Sequence, residues 1–249
     1  MRTVVVGAST GLGRCIGTAL AQRGAQVALL ARRYELLVDA AKDAGNGALP
    51  IVCDVTDAEA CRAAVAEAAE GMGGIDGVVY ASGVGELRRI EDVEPDAWRR
   101  VFETNVIGAS TFTAAVLPHL AASNGVAAYL SSVSASMTAP WPGLGAYIVS
   151  KAALDKLVEV WRSEHPDVGF TRVIVGDCGG GEGMAQSQFL AGFDMELLGE
   201  LAPTWAERGL LAGSLVEVEH LINAIEGVLR VGASACVPSI AVVPRKPKA

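Results

Sequence analysis

The amino-acid sequence predicts an α/β fold, a doubly wound parallel sheet in a single domain spanning 1–249. Three observations carry this. Short β-branched runs alternate with longer Ala/Leu-rich stretches; a glycine-rich turn, Gly7-Ala8-Ser9-Thr10-Gly11-Leu12-Gly13, follows the first run directly; and 51% of the 249 residues are apolar while 5% are aromatic. Parallel strands need crossover helices, the right-handed rule places those helices on both faces, and small aliphatic side chains suit close packing onto a buried sheet.

The elements follow in order. Residues 3–6 form the first strand and precede a helix near 11–23. Residues 27–31 precede a helix near 33–44, and 49–52 one near 57–71, which completes a βαβαβα run. The run 77–80 precedes a long helix ending near His119 and Leu120, 126–131 precedes the helix that carries Tyr147, and 168–175 precedes an irregular stretch. A helix near 215–229 and a strand near 236–243 close the chain. No linker, repeat or low-complexity tract marks a second domain. Residues 176–213 differ in texture: glycines give way to Phe189, Leu190, Phe193, Met195, Leu197, Leu198 and Trp205, which predicts a substrate lid within the domain.

Composition narrows the function. A formal net charge of -8 argues against nucleic acid or an anionic membrane as partner. The basic tail Arg245-Lys246-Pro247-Lys248 reads as a solvated terminus. Cys15, Cys53, Cys61, Cys178 and Cys236 form no Cys-x-x-Cys pair and read as reduced core thiols of a cytoplasmic protein. His119, His165 and His220 are scattered, so neither a metal site nor a Ser-His-Asp triad is expected. No segment approaches ~20 uninterrupted apolar residues, and the first apolar run breaks at Gly7, unlike a signal peptide.

Gly7, Gly11 and Gly13 let the chain turn tightly and bring its backbone close to a pyrophosphate, which the N–H groups of Ser9, Thr10 and Leu12 at the helix start would meet. The second strand ends at Arg32-Arg33, where a domain specific for NAD would place an acid on the ribose 2′-hydroxyl. Two guanidinium groups suit a 2′-phosphate instead, so the expected cofactor is NADP, with NAD second. Asp54 and Val55 end the third strand, where the carboxylate could accept from an adenine amino group; Asp57 reads as the cap of the next helix.

Tyr147 and Lys151, four residues apart on a predicted helix, share one face. A phenol beside an ammonium is an acid/base pair, provided its pKa is brought down from ~10. Alone, the spacing also describes a solvated helix face. With GASTGLG, the Cys53–Asp57 segment, Asn105 in Thr104-Asn105-Val106, the strand end Leu130-Ser131-Ser132-Val133 and Tyr147-Ile148-Val149-Ser150-Lys151 in this order, the whole chain resembles the short-chain dehydrogenase/reductase family. The resemblance implies a Rossmann-like sheet of seven strands and a nicotinamide cofactor. It also implies that Tyr147 is the general acid/base, that Lys151 lowers its pKa and binds the nicotinamide ribose, and that Ser132 holds the substrate oxygen. Asn105 would interrupt its helix and hold a water in a proton relay with Lys151.

The chain departs from the family pattern in three places. The serine usual 13 residues before the tyrosine falls on Ser134, whereas the strand pattern selects Ser132, with two extra residues in the loop 136–142. After the fourth strand, Tyr80-Ala81-Ser82-Gly83 replaces Asn-Asn-Ala-Gly; Ala81, Ser82 and Gly83 keep their backbone contacts to the cofactor, but amides that steady the sheet are gone. After the sixth strand, Val175 to Gly181 replaces a Pro-Gly turn and predicts a loose segment.

The apolar stretches 137–143 and 184–205 would line a pocket for a hydrophobic ketone or secondary alcohol, or serve as core or subunit contacts. The resemblance implies a homodimer or homotetramer through the helices of Asn105 and Tyr147. The expected activity is NADP-dependent interconversion of a carbonyl and a secondary alcohol of a small molecule. The alternatives are a nucleotide-binding regulatory or scaffold protein and an isomerase or dehydratase with a tightly held cofactor.

Overall fold

Alternate residues of a strand face opposite layers, and in β1 (Arg2–Val6) Val4 and Val6 enter one core while Val5 enters the other. A computed structural model describes residues 1–180 and 189–245. The remaining strands are β2 (Gln26–Ala31), β3 (Leu49–Val52), β4 (Gly77–Tyr80), β5 (Val126–Ser132), β6 (Gly169–Val175) and β7 (Ser239–Val242). All seven pair in parallel in the order β3-β2-β1-β4-β5-β6-β7, the predicted doubly wound Rossmann-like sheet. The winding direction reverses between β1 and β4, the point at which open α/β sheets bind ligands outside their carboxyl ends.

Helices α1 (Gly11–Gln22), α2 (Tyr34–Ala44) and α9 (Val218–Leu229) cover one face, where Ile16, Leu20, Leu37, Leu221 and Ile225 pack on Val5, Leu29 and Val173. Helices α3 (Ala58–Met72), α5 (Gly108–Ser123) and α7 (Gly145–Glu164) cover the other, where Phe112, Val116, Leu154 and Val158 pack on Val4, Leu30 and Tyr129. Each fully buried aliphatic side chain there contributes about 1.5–3 kcal/mol. Asp57 caps α3 as expected, its Oδ1 accepting from the N–H groups of Glu59 (2.8 Å) and Ala60 (3.2 Å). All five cysteines are free thiols.

The long helix after β4 is interrupted at Asn105, as expected. It runs as α4 (Pro95–Phe102), a π-helical turn (Glu103–Ile107) and α5, with the Gly108 N–H bonded to the Glu103 carbonyl five residues back. It passes beyond Leu120 to Ser123, stopping where Asn124 adopts the left-handed conformation (φ 49°). The run Pro95–Ser123 is long and apolar enough to cross a membrane by length and composition; here Val101, Phe112, Val116 and Leu120 bury its inward side in the protein.

The segment 176–213 is not irregular throughout. It contains a 3₁₀ turn (Phe189–Gly192) and α8 (Met195–Glu207). Asp194 caps α8 through the N–H groups of Glu196 and Leu197, while Leu201 and Trp205 anchor it on Leu87, Trp141 and Leu144. The helix α6 (Val133–Ser136) is a single turn after β5. Residues 181–188, with Gly181 and the start of the predicted 184–205 wall, and residues 246–249 of the basic tail lie outside the described residues.

Candidate active site

The carboxyl ends of the central strands open onto one cleft of about 720 Å³. Gly7, Ser9, Thr10, Gly11, Leu12, Gly13, Arg32, Arg33, Asp54, Val55, Ala81, Ser82 and Gly83 all line it, as do Ser132, Ser134, Tyr147 and Lys151. Asn105 does not. Arg100, Thr104, Val84 and Gly85 line the cleft without having stood out in the sequence. For Arg100 and Thr104 the signal was helical spacing, since they lie within about a turn and a half of Asn105 on the same helical run.

At one end the backbone leaves no room for side chains. A Cβ on Gly7, whose φ is +85°, would lie 2.7 Å from the Ser82 nitrogen, and one on Gly13 would lie 2.3 Å from the Gly7 carbonyl oxygen. These contacts press β1, the 81–83 loop and the start of α1 together, and the cradle they form fits a pyrophosphate on the helix N-terminus. Arg33 reaches over it, donating to Ser9 Oγ and Thr10 Oγ1, each at 2.9 Å. Partial burial works against ionisation of Asp54, but the Thr56 N–H and hydroxyl on its Oδ1 and the nearby Arg32 charge hold its carboxyl below the usual range.

At the other end, α7 carries Tyr147 and Lys151 and β5 delivers Ser132. Burial pushes the Tyr147 phenol up to about 12, and a side-chain hydrogen bond from Ser132 opposes that rise. Ser134 is buried behind, its Oγ 2.9 Å from Ser132 Oγ, and its N–H donates back to Ser132 Oγ. The structure thus turns Ser132, not Ser134, toward the phenol. Burial lowers the Lys151 ammonium to about 8, against the pull of Asp155, and its Nζ donates to the Leu130 carbonyl at 2.7 Å. Nζ lies 5.8 Å from the Tyr147 ring centroid.

In the protein alone desolvation outweighs the hydrogen bond from Ser132, so the Tyr147 phenol is neutral.

Asn105 is fully buried in the π turn. Its Oδ1 accepts from the Val84 N–H, and its Nδ2 donates to the Val84 carbonyl and to Ser150 Oγ, all at 2.9 Å. Ser150 Oγ donates in turn to the Tyr147 carbonyl at 2.7 Å. The side chain thereby ties the β4 loop to the first turns of α7. A Cβ on Gly83 would lie 3.3 Å from Lys151 Nζ and 3.5 Å from Asn105 Oδ1, so all three groups crowd one point.

The two altered turns are both braced. Tyr80 replaces the missing amide, its hydroxyl donating to the Thr104 carbonyl at 2.8 Å from between Phe112 and Tyr129. The segment after β6 is tied down at its start. The Gly176 N–H donates to the Val242 carbonyl (2.9 Å), the Asp177 carbonyl accepts from Val216 (2.8 Å), and Asp177 Oδ2 accepts from Ala212 (3.2 Å).

An aromatic wall completes the cleft. Phe189 stands edge-on to Tyr147 with centroids 4.9 Å apart, Phe193 packs behind it at 5.1 Å, and Trp141 meets Trp205 at 5.3 Å. The Trp205 indole donates to the Pro142 carbonyl, fastening α8 to the loop before α7.

A phenol, a serine hydroxyl and a lysine thus stand together at the strand ends, in one cleft with a glycine cradle. The short chain dehydrogenase family model matches residues 2–187, and the chain belongs to that family. It is 35% identical over 179 residues to 11-beta-hydroxysteroid dehydrogenase A of Sesamum indicum, covering 70% of this chain and 51% of the relative. The chain spans about half the length of the curated relatives it matches first. Among solved structures it is similar to an alcohol dehydrogenase from Thermococcus sibiricus complexed with 5-hydroxy-NADP. There the TM-score is 0.78 at 22% identity, covering 96% of this chain and 94% of that one. It is also similar to the 3-ketoacyl-(acyl-carrier-protein) reductase of Brucella melitensis complexed with NADH. The TM-score is 0.81 at 20% identity, covering 97% and 96%. At these identities the two structures share the fold.

Proposed function

We propose that this short-chain dehydrogenase/reductase is NADP-dependent and interconverts the carbonyl and secondary alcohol of a small, largely apolar molecule. The observation that carries the reading is a single cleft with Ser132, Tyr147 and Lys151 at one end and Arg32 and Arg33 at the other. The cradle of Gly7, Gly11 and Gly13 would hold the pyrophosphate, Arg32 and Arg33 the 2′-phosphate, Asp54 and Val55 the adenine side, and Lys151 the nicotinamide ribose. When bound, the cofactor supplies or accepts the hydride.

The protein's own residues manage the proton. A carbonyl oxygen placed between Ser132 and Tyr147 accepts from both hydroxyls, so negative charge developing on it is met by preorganised donors. Tyr147, neutral at rest, gives its proton to that oxygen, and the nearby Lys151 ammonium favours the phenolate left behind. The expected relay through a water between Asn105 and Lys151 would reprotonate it, with Asn105 holding the β4 loop and α7 in register. Trp141, Leu144 and Phe189 exclude water from the reacting oxygen and favour an apolar substrate body. The 35% identical hydroxysteroid dehydrogenase supports such a body. The lid role of 176–213 belongs to this reading, as does a homodimer or homotetramer, which exposed Ile107, Val149 and Val160 support. Five free thiols support the cytoplasmic setting.

The test is a panel of ketones and secondary alcohols monitored by NADPH absorbance, with Tyr147→Phe as control. Turnover that falls at least about 10²-fold in the variant, while NADPH affinity holds within about twofold, supports the reading. Unchanged turnover removes the mechanism. Tight NADPH binding with no turnover of any substrate would favour a binding or regulatory protein, and product formation without net NADPH change an isomerase or dehydratase.

A further inference from the structure

Asp155 is a buried carboxylate that the mechanism above does not use. It lies one turn beyond Lys151 on α7, in the same buried stripe with Leu154 and Val158. It is only 5% exposed, and neither of its oxygens has a hydrogen-bond partner of sound geometry among the described residues. Such a group costs stability and calls for an explanation. Three elements face it. From β5 comes Ser131, whose buried hydroxyl also lacks a well-formed hydrogen bond, and from β6 comes Arg172. From α7 itself come Lys151 and Glu159.

The ion pair with Arg172 accounts for Asp155 only in part. Arg172 Nη1 lies 3.9 Å from Asp155 Oδ2 but 3.2 Å from Glu159 Oε1, so the better contact goes to the more exposed acid. The other cation acting on Asp155 is Lys151, which is equally buried and fastened to the Leu130 carbonyl, the residue before Ser131. Helix spacing and the β5 strand therefore bring the two groups to one side of the sheet.

We propose that Asp155 is a positioning residue that acts through Lys151: its buried carboxylate keeps the Lys151 ammonium charged at the pH at which Tyr147 must transfer its proton. Burial alone drives that lysine toward its neutral form, and Asp155 opposes this. The carboxylate is itself discouraged by burial and is supported by Ser131, Arg172 and Lys151. The inference rests on the proposed proton transfer, but the charge coupling is measurable whether or not the chain turns over a ketone.

Two measurements separate these claims. The first is the stability difference between parent and Lys151→Met as a function of pH, repeated in an Asp155→Asn background. The parent difference should begin to change near pH 8, the folded-state midpoint of Lys151 ionisation, and that midpoint should fall by roughly one pH unit once the carboxylate is removed. An unmoved midpoint overturns the proposal whatever the activity. The second is the kcat profile for NADPH-dependent ketone reduction. Asp155→Asn should match the parent within about twofold at pH 6 and fall about eight- to ninefold below it at pH 8.5 to 9, while Asp155→Glu keeps the parent profile. Superimposed profiles with altered thermal stability assign Asp155 a structural role and also overturn the proposal. A shifted midpoint with no turnover in any variant upholds the coupling and removes the catalytic reading instead. Should Asp155→Asn not fold, Asp155→Ser carries the same expectations.

Discussion

Replacing Lys151 by Met tests the energetic claim at the centre of the site, that a charged lysine is held there at a cost. Methionine keeps the length of the stem and removes the charge. The fall of the ammonium from 10.5 to about 8, at ~1.36 kcal/mol per pH unit, makes the charged form about 3 kcal/mol worse in the folded protein than in the unfolded chain. The sign follows from proton counts. Between pH 8 and 10.5 the unfolded chain binds more protons than the folded one, so parent stability rises with pH through this window. The contribution is fully present above 10.5 and is lost as pH falls through 8. Losing the donor to the Leu130 carbonyl costs the variant about 1–3 kcal/mol, but that cost does not depend on pH. The slope is therefore decisive. Urea unfolding of both proteins at pH 7 and pH 9.5 should show the parent gaining about 2 kcal/mol on the variant between the two. A flat difference would show that Lys151 ionises as it does in water, and the desolvated site would be wrong.

Other substitutions separate roles that the cleft brings close together. Ser132→Ala should lower kcat about 10²–10³-fold, whereas Ser134→Ala, which removes only the hydroxyl behind it, should cost less than about tenfold; the reverse ranking would move the substrate contact to Ser134. Arg33→Ala should weaken NADPH binding about tenfold or more, as loss of a charge-assisted hydrogen bond implies, and leave NADH unchanged, as read by titration calorimetry with both cofactors. Equal losses for the two, or tighter NADH binding in the parent, would contradict the NADP preference. Asp57→Ala removes the cap of α3 and should cost about 1 kcal/mol, a Tm drop of about 2–4 °C by calorimetry, with kcat unchanged.

The sheet was legible because each strand and helix obeys its own period, and the site was legible because Tyr147, Lys151 and the glycine turn sit on regular elements. What escaped depends on contacts between distant segments. Helix α8 contains Gly199 and Pro203, which weaken its local signal, and it forms because Asp194 caps it and Trp205 docks on Trp141. Tyr80 could not be recognised as the substitute for a missing amide, since its partner, the Thr104 carbonyl, is 24 residues away. Asp155 was visible as Lys151 plus four, but an acid at that spacing is ordinary on a solvated helix, and only its burial gives it meaning. The turn after β6 looked loose from its glycines because the bonds that hold it come from residues 212, 216 and 242.

The π turn at Glu103–Ile107 has a consequence for how insertions and deletions would act on this chain. It houses one residue more than an α-helical turn, which rotates everything after it by about 100° relative to an unbroken helix. Asn105 can therefore address α7 while Phe112 and Val116, further along the same helical run, address the sheet. Deleting a single residue there would restore an ideal ladder of hydrogen bonds and at the same stroke turn one of those two faces away from its target. The irregularity works as a change of phase, allowing one continuous helix to serve two surfaces that a perfect helix could not reach together.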